Sequence, residues 1–101
     1  MMTARQREMA KLLRRLCPHM PLADFTPVVE AASGKHMRHL PASIALWQAL
    51  GARVRHAHTE YDALLDEGYD REAARFFVVE EMNGVLAGWG CLRRIEAGEP
   101  E

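Results

Sequence analysis

The sequence predicts an all-α fold, a single small domain of four to five helices around one core. Three observations indicate this class. Apolar residues recur at helical spacing, helix-capping or helix-breaking residues separate the periodic segments, and 101 residues leave no room for a second core. The composition, 49% hydrophobic and 27% charged, is that of a globular protein. We place the helical domain at residues 1–95 and a frayed tail at residues 96–101.

The first predicted helix begins after Thr3, which can form a capping box with Gln6. Its apolar face consists of Met9, Leu12, Leu13 and Leu16, spaced at i, i+3, i+4 and i+7. The sequence Cys-Pro-His-Met-Pro at residues 17–21 then ends the helix, because neither proline can donate a backbone hydrogen bond.

Two further helices are predicted in the next segment. A short one spans residues 27–33, with Thr26 as its N-cap, Pro27 at its first position and Gly34 at its end. Residues 35–41 are predicted to be a connector, since the residue before Pro41 disfavours helical backbone angles. A longer helix follows Pro41. Its predicted buried stripe is Ile44, Trp47, Leu50 and Val54, and Gly51 within it suggests close packing of a neighbour.

The last two helices are predicted from their caps. Thr59 and Asp62 resemble a capping box, and Gly68 would close that helix in a Schellman motif. Asp70 would cap the final helix. The stripe of this helix is Ala74, Val78, Met82, Val85, Leu86 and Trp89. Asn83-Gly84 is also a type I′ turn signal, so a C-terminal β-hairpin at residues 76–92 stays open as an α+β alternative.

Charge is distributed unevenly along the chain. Residues 1–59 hold nine Lys or Arg against three acids, which is +6, and residues 60–101 hold four Arg against eleven acids, which is −7. No acid occurs between residues 31 and 59, where Lys35, Arg38, Arg53 and Arg55 lie. These four cations are the predicted polyanion-binding residues, with nucleic acid or an acidic protein as partner. The alternative is that the two halves neutralise each other within the fold.

Compartment and membrane contact are predicted from what the sequence lacks. No apolar run approaches the ~20 residues of a membrane span. The first residues are charged and lack the apolar core of a secretory signal. We therefore expect a cytoplasmic protein with no membrane partner. Cys17 and Cys91 lie far apart in the sequence and favour a reducing compartment over a disulfide framework.

Residues 55–75 contain the pattern Arg-His-x-x-Thr-x-Tyr-Asp-x-Leu-Leu-x-x-Gly, followed by an Arg and by Ala-Arg. With Lys-His-Met-Arg-His-Leu-Pro upstream and a valine-rich run ending in Trp89 downstream, this segment resembles the domain of unknown function family 2293. That family occurs in bacterial and fungal proteins, and the chain is similar to its small bacterial members over residues 31–89. The resemblance implies a helical domain without an established activity. It also favours helix over hairpin at residues 83–84.

The densest polar cluster within this pattern is Arg55, His56, Thr59, Tyr61 and Asp62. One interpretation is a binding pocket in which Arg55 holds an anion. The other is structural, with Thr59 and Asp62 capping a helix and Tyr61 half buried. We favour the structural interpretation, because each role follows from a local rule.

Histidines and cysteines give little sign of metal or catalytic chemistry. The pairs His36/His39 and His56/His58 are poorly spaced for zinc, and no HExxH or CxxC motif accompanies them, so no metal and no cofactor are predicted. The chain also lacks GxSxG, P-loop and GxGxxG motifs.

We therefore predict a non-catalytic binding module that contacts nucleic acid or another polyanion through a basic face. Two alternatives remain. One is a self-associating protein–protein interaction domain, in which the basic half of one chain meets the acidic half of another. The second is a small enzyme centred on Arg55, His56 and Asp62, assembled from residues that motifs do not reveal.

Overall fold

A computed structural model describes residues 2–97. The described helices are α1 (Ala4–Leu16), α2 (Leu22–Ala32), α3 (Ala42–His58), α4 (Tyr61–Asp66) and α5 (Arg71–Gly88), with a 3-10 turn at Lys35–Met37. No strand occurs within residues 2–97, so the all-α prediction is confirmed. The hairpin alternative at residues 76–92 is not supported, because Asn83 and Gly84 lie inside α5. No helix in the described chain is long and apolar enough to cross a bilayer.

The predicted caps of the first and last helices are present. Thr3 Oγ1 accepts a hydrogen bond from the Gln6 N–H at 3.1 Å, and Gln6 Oε1 accepts from the Thr3 N–H at 2.8 Å. Asp70 Oδ1 accepts from the Ala73 N–H at 2.8 Å. Each of these side chains satisfies an N–H group that has no partner within its helix.

Both α4 and α5 end in Schellman motifs built on a glycine in the left-handed region. Gly68 has φ 101°, and the Tyr69 N–H donates to the Leu64 carbonyl at 3.1 Å. Gly90 has φ 80°, and the Cys91 N–H donates to the Leu86 carbonyl at 2.9 Å. The sequence predicted the first of these endings.

The second helix is longer than the sequence predicted, because it begins at Leu22 and contains Pro27 in its interior. Pro27 has no N–H, so the Ala23 carbonyl loses its donor within the helix. Arg53 Nη2 from α3 donates to this carbonyl at 3.3 Å. A tertiary contact thus satisfies the group that the proline leaves unpaired. Local sequence rules could not predict that compensation.

Helix α3 lies at the centre of the bundle and packs against the other four helices. The core around it includes Met9, Leu13, Val28, Leu46, Leu50, Val54 and Leu86. Leu50 and Val54 are buried as predicted, but the prediction was wrong for Ile44, which is 46% exposed, and Trp47 is only half buried. The small residues Ala45 and Ala49 are buried instead, because a helix with neighbours on several sides buries more than one stripe.

The segment after α5 runs without regular structure along α3 and α5. The Asn83 side chain binds it through Ile95, whose N–H donates to Asn83 Oδ1 at 2.7 Å and whose carbonyl accepts from Nδ2 at 2.9 Å. Arg93 lies over the Trp47 ring at 4.0 Å. A Cβ atom at Gly51 would lie 3.9 Å from Ile95 Cδ1, an ordinary van der Waals distance, so Gly51 does not mark the close packing that the sequence suggested. Of the predicted frayed tail, residues 98–101 lie outside the described residues.

Candidate functional site

The predicted polar cluster is assembled where α3 meets α4. Thr59 joins the two helices, since its hydroxyl donates to the Arg55 carbonyl and accepts from the Tyr61 N–H at 3.1 Å. Tyr61, the first residue of α4, is buried rather than half buried. One threonine side chain thus helps to end α3 and to begin α4.

The cluster divides into a buried part and an exposed part. Arg55 is only 5% exposed and its guanidinium lies 5.3 Å from the centre of the Tyr61 ring. His56 and Asp62 are both exposed, and they pair with each other at 2.7 Å between Nδ1 and Oδ1. His56 also contacts the edge of Tyr61. Asp62 therefore binds a histidine and not the helix cap that the sequence suggested.

A second polar site, which the sequence analysis missed, surrounds Asp24 on α2. This carboxylate is 4% exposed, and its Oδ1 accepts from Arg53 Nε at 2.9 Å and contacts His58 Nε2 at 2.7 Å. The His58 ring meets Trp89 edge to face, with 5.4 Å between ring centres. The available signal was that Asp24 is one of three acids among residues 1–59.

The surroundings of Asp24 predict an acid-sensitive contribution to stability. Burial by itself raises the pKa of Asp24, but hydrogen bonds and charge from His58 and Arg53 outweigh it, so its pKa lies below the ordinary value. A lowered folded-state pKa stabilises the protein above the unfolded-state pKa, and this stability is lost as pH falls from about 4 through the folded-state pKa. Asp24→Asn is therefore expected to cost about 1–3 kcal/mol at pH 7 and less in acid.

Chemical denaturation between pH 2 and pH 7 measures this effect. Asp62→Asn is the matched control, because the exposed His56–Asp62 pair is expected to contribute at most about 1 kcal/mol. Parallel stability–pH curves for wild type and Asp24→Asn would contradict the assignment.

The four cations of the predicted polyanion face do not share one exposed surface. Arg53 is bound to Asp24 and Arg55 is buried, whereas Lys35 and Arg38 are exposed. The connector that carries the exposed pair is held on α1 by Arg5. Its Nη2 donates to the Met37 and Leu40 carbonyls at 3.2 and 2.7 Å. The structure thus brings Lys35 and Arg38 to the first turn of α1 and places the other two elsewhere.

The histidine pairs are also separated by their contacts. His56 binds Asp62 and His58 binds Asp24, while His36 and His39 are exposed. Within residues 2–97, no group of three or more His, Cys, Asp or Glu side chains is arranged to hold a metal ion.

A groove of about 380 Å³ lies between α1 and α2. Its apolar walls are formed by Met2, Leu22, Phe25 and Val29. Arg14, which also lines it, sits 5.0 Å from the centre of the Phe25 ring. None of the predicted site residues lines this groove.

An exposed aromatic surface on α5 was also missed. Phe76 and Phe77 are 67% and 59% exposed, and Tyr69 before the helix is partly exposed as well. Phe77 meets Tyr69 and Phe76 edge to face, with ring centres 5.4 and 6.1 Å apart. We call Tyr69, Phe76 and Phe77 the aromatic face. The sequence signal was that both phenylalanines fall outside the apolar stripe of α5.

Comparison with known proteins gives one match. No significant match was found among curated proteins or among solved structures. Residues 12–90 match the model of a family described as an uncharacterized conserved protein, DUF2293. The match includes α2 to α5, both polar sites and the aromatic face. The chain therefore belongs to the DUF2293 family, as its sequence pattern indicated.

Proposed function

We propose that this domain is a self-associating protein–protein interaction module. The aromatic face of one copy binds the groove between α1 and α2 of a second copy. The observation that carries the proposal is the exposure of Phe76 and Phe77, next to each other on α5. Burying a phenylalanine side chain is worth about 1.5–3 kcal/mol, so a partner that covers both rings gains several kcal/mol. Aromatic residues are enriched at protein–protein interfaces.

Charge complementarity favours a second copy as the occupant. Exposed carboxylates surround the phenylalanines on α5, at Glu72, Glu80 and Glu81. Helix α1 carries four exposed cations, at Arg7, Lys11, Arg14 and Arg15. Of these, Arg14 lines the groove, where Glu30 is the one acidic residue. The acidic surface of one copy therefore faces the basic surface of the next, which steers and orients association.

The groove also has a suitable size and lining. An apolar cavity of roughly 150 Å³ holds a benzene molecule, so a groove of about 380 Å³ has room for two phenyl rings. Its walls include the exposed Leu22, which the partner would cover. A contact between two different surfaces closes as a two-fold dimer when both copies make it reciprocally, and otherwise it runs head to tail into rings or open chains.

Sedimentation equilibrium tests the proposal. The weight-average mass of wild type should rise above the 11.4 kDa of one chain as concentration increases, and it should rise less at high salt. Phe76→Ser/Phe77→Ser should remain monomeric, and Arg14→Glu should weaken association. Leu92→Ser is the matched control, because Leu92 is almost fully exposed but lies outside both surfaces, and it should associate like wild type.

Two outcomes contradict the proposal. Wild type could stay monomeric at millimolar concentration and low salt. Alternatively, the folded double-serine variant could associate as well as wild type. Circular dichroism establishes that each variant is folded.

A second candidate function is polyanion binding, and the docking of the basic connector on α1 favours it. Lys35 and Arg38 lie beside the cationic helix, so the basic surface is α1 with this pair rather than the four predicted cations. Lys35→Glu/Arg38→Glu should weaken binding to a short DNA duplex in a fluorescence titration. Each phosphate contact contributes roughly −0.9 to the log–log salt slope. Equal binding by wild type and variant at low salt would contradict this candidate.

A further inference from the structure

The two cysteines are 74 positions apart in the sequence, and both lie in the core. Cys17 is the C-cap of α1, and Cys91 follows the glycine that ends α5. Both are buried free thiols. The chain segments that carry them are joined by a hydrogen bond from the His19 N–H to the Trp89 carbonyl at 2.9 Å. The sequence did not reveal this contact between the two segments, because they lie far apart along the chain.

The same two segments touch through side chains. A Cβ atom at Gly90 would lie 3.0 Å from Pro18 Cγ, so the Pro18 ring packs directly against the main chain at Gly90. Burial, together with the charge and hydrogen bonding of the neighbouring Cys91 thiol, raises the pKa of Cys17 to about 12. Cys17 is therefore mostly protonated at neutral pH, and the Cys91 thiol beside it donates to the Arg93 carbonyl at 3.4 Å.

We propose that Cys17 and Cys91 are a redox pair that a small disulfide oxidant, such as oxidised glutathione, converts into an intramolecular disulfide. This inference is independent of the proposed function. One cysteine thiolate attacks a sulfur of oxidised glutathione, which forms a mixed disulfide and releases one reduced glutathione. The second cysteine then attacks the protein sulfur of the mixed disulfide, which closes the protein disulfide and releases the second reduced glutathione. Two protein thiols are oxidised and one glutathione disulfide is reduced.

The disulfide would tie the end of α1 to the end of α5. It would close a loop from residue 17 to residue 91, and long loops give large stabilisation in the chain-entropy model. Because both thiols are buried and Cys17 is protonated, the reaction is expected to take hours and to speed up at higher pH.

The test incubates the folded, full-length protein with oxidised glutathione at pH 8.5. Mass spectrometry should show a loss of about 2 Da, and thiol titration in denaturant should fall from two groups to none. The oxidised monomer should melt at least about 5 °C higher than the reduced one, and a reducing agent should reverse the change.

Variants sharpen the assignment. Cys17→Ala and Cys91→Ala each remove one partner, so neither should show the 2 Da loss within the monomer. Three results would refute the redox pair: two thiols that still titrate after prolonged oxidation, stable glutathione adducts on wild type, or disulfide-linked dimers as the main product.

Discussion

Gly90→Ala is expected to lower the free energy of unfolding by about 3 kcal/mol, which corresponds to a drop of roughly 10–20 °C in Tm. Two costs combine at this position. An alanine at φ 80° is strained, and its Cβ would lie 3.0 Å from Pro18 Cγ and 3.1 Å from His19 Nδ1. Because the proline ring can move little beyond a change of pucker, relief requires a shift of a few tenths of an ångström in the ring or at the end of α1. Thermal denaturation followed by circular dichroism measures the effect.

Substitutions at two other glycines distinguish the cost of backbone strain from the cost of the close contact. Gly68 has φ 101° but nothing within 4 Å of a Cβ, so Gly68→Ala should cost only about 1–2 kcal/mol of strain. Gly84 lies inside α5 in open space, and Gly84→Ala should stabilise the protein by up to about 1 kcal/mol. If Gly90→Ala cost no more than Gly68→Ala, the close contact with Pro18 would have no energetic role.

Arg55→Ala should also lower the free energy of unfolding by about 3 kcal/mol, since it removes a buried cation and its packing on Tyr61. Arg55→Lys retains the charge but not the planar group, and it should recover only part of the loss. Urea denaturation of both variants measures the difference.

His56→Ala is the matched comparison within the same sequence pattern. His56 neighbours Arg55 but is exposed, so its removal should cost no more than about 1 kcal/mol. If Arg55→Ala and His56→Ala lowered the free energy of unfolding equally, the difference in burial between the two residues would have no effect on stability. The expected contrast assigns Arg55 to the folding of the α3–α4 junction and leaves His56 and Asp62 as its exposed pair.

The features that could be predicted from the sequence are those that depend only on residues close by in the chain. Thr3, Asp70 and Gly68 each act within a few residues of their own position, by capping an N–H group or by adopting a positive φ. Their residue types are selected by that local chemistry. The same local signals predicted which segments are helical and where most of the helices begin and end. They also favoured a helix over the hairpin at residues 76–92.

The candidate site was predictable only in part, because burial is set by distant residues. The pattern located Arg55 and His56, but only the packing of α4 on α3 makes one buried and the other exposed. The Asp24–Arg53–His58 site joins α2 to α3 across 29 and 34 positions, a separation that periodicity cannot detect. The start of α2 was wrong for the same reason, since Arg53 compensates for Pro27 from another helix.

The amide of Asn83 binds the main chain of residue 95, through the N–H and C=O groups that every amino acid except proline offers. The position of the main chain at residue 95 is therefore held by a side chain of α5. A different side chain at residue 95 would leave both hydrogen bonds in place, as long as Asn83 is present and residue 95 is not a proline.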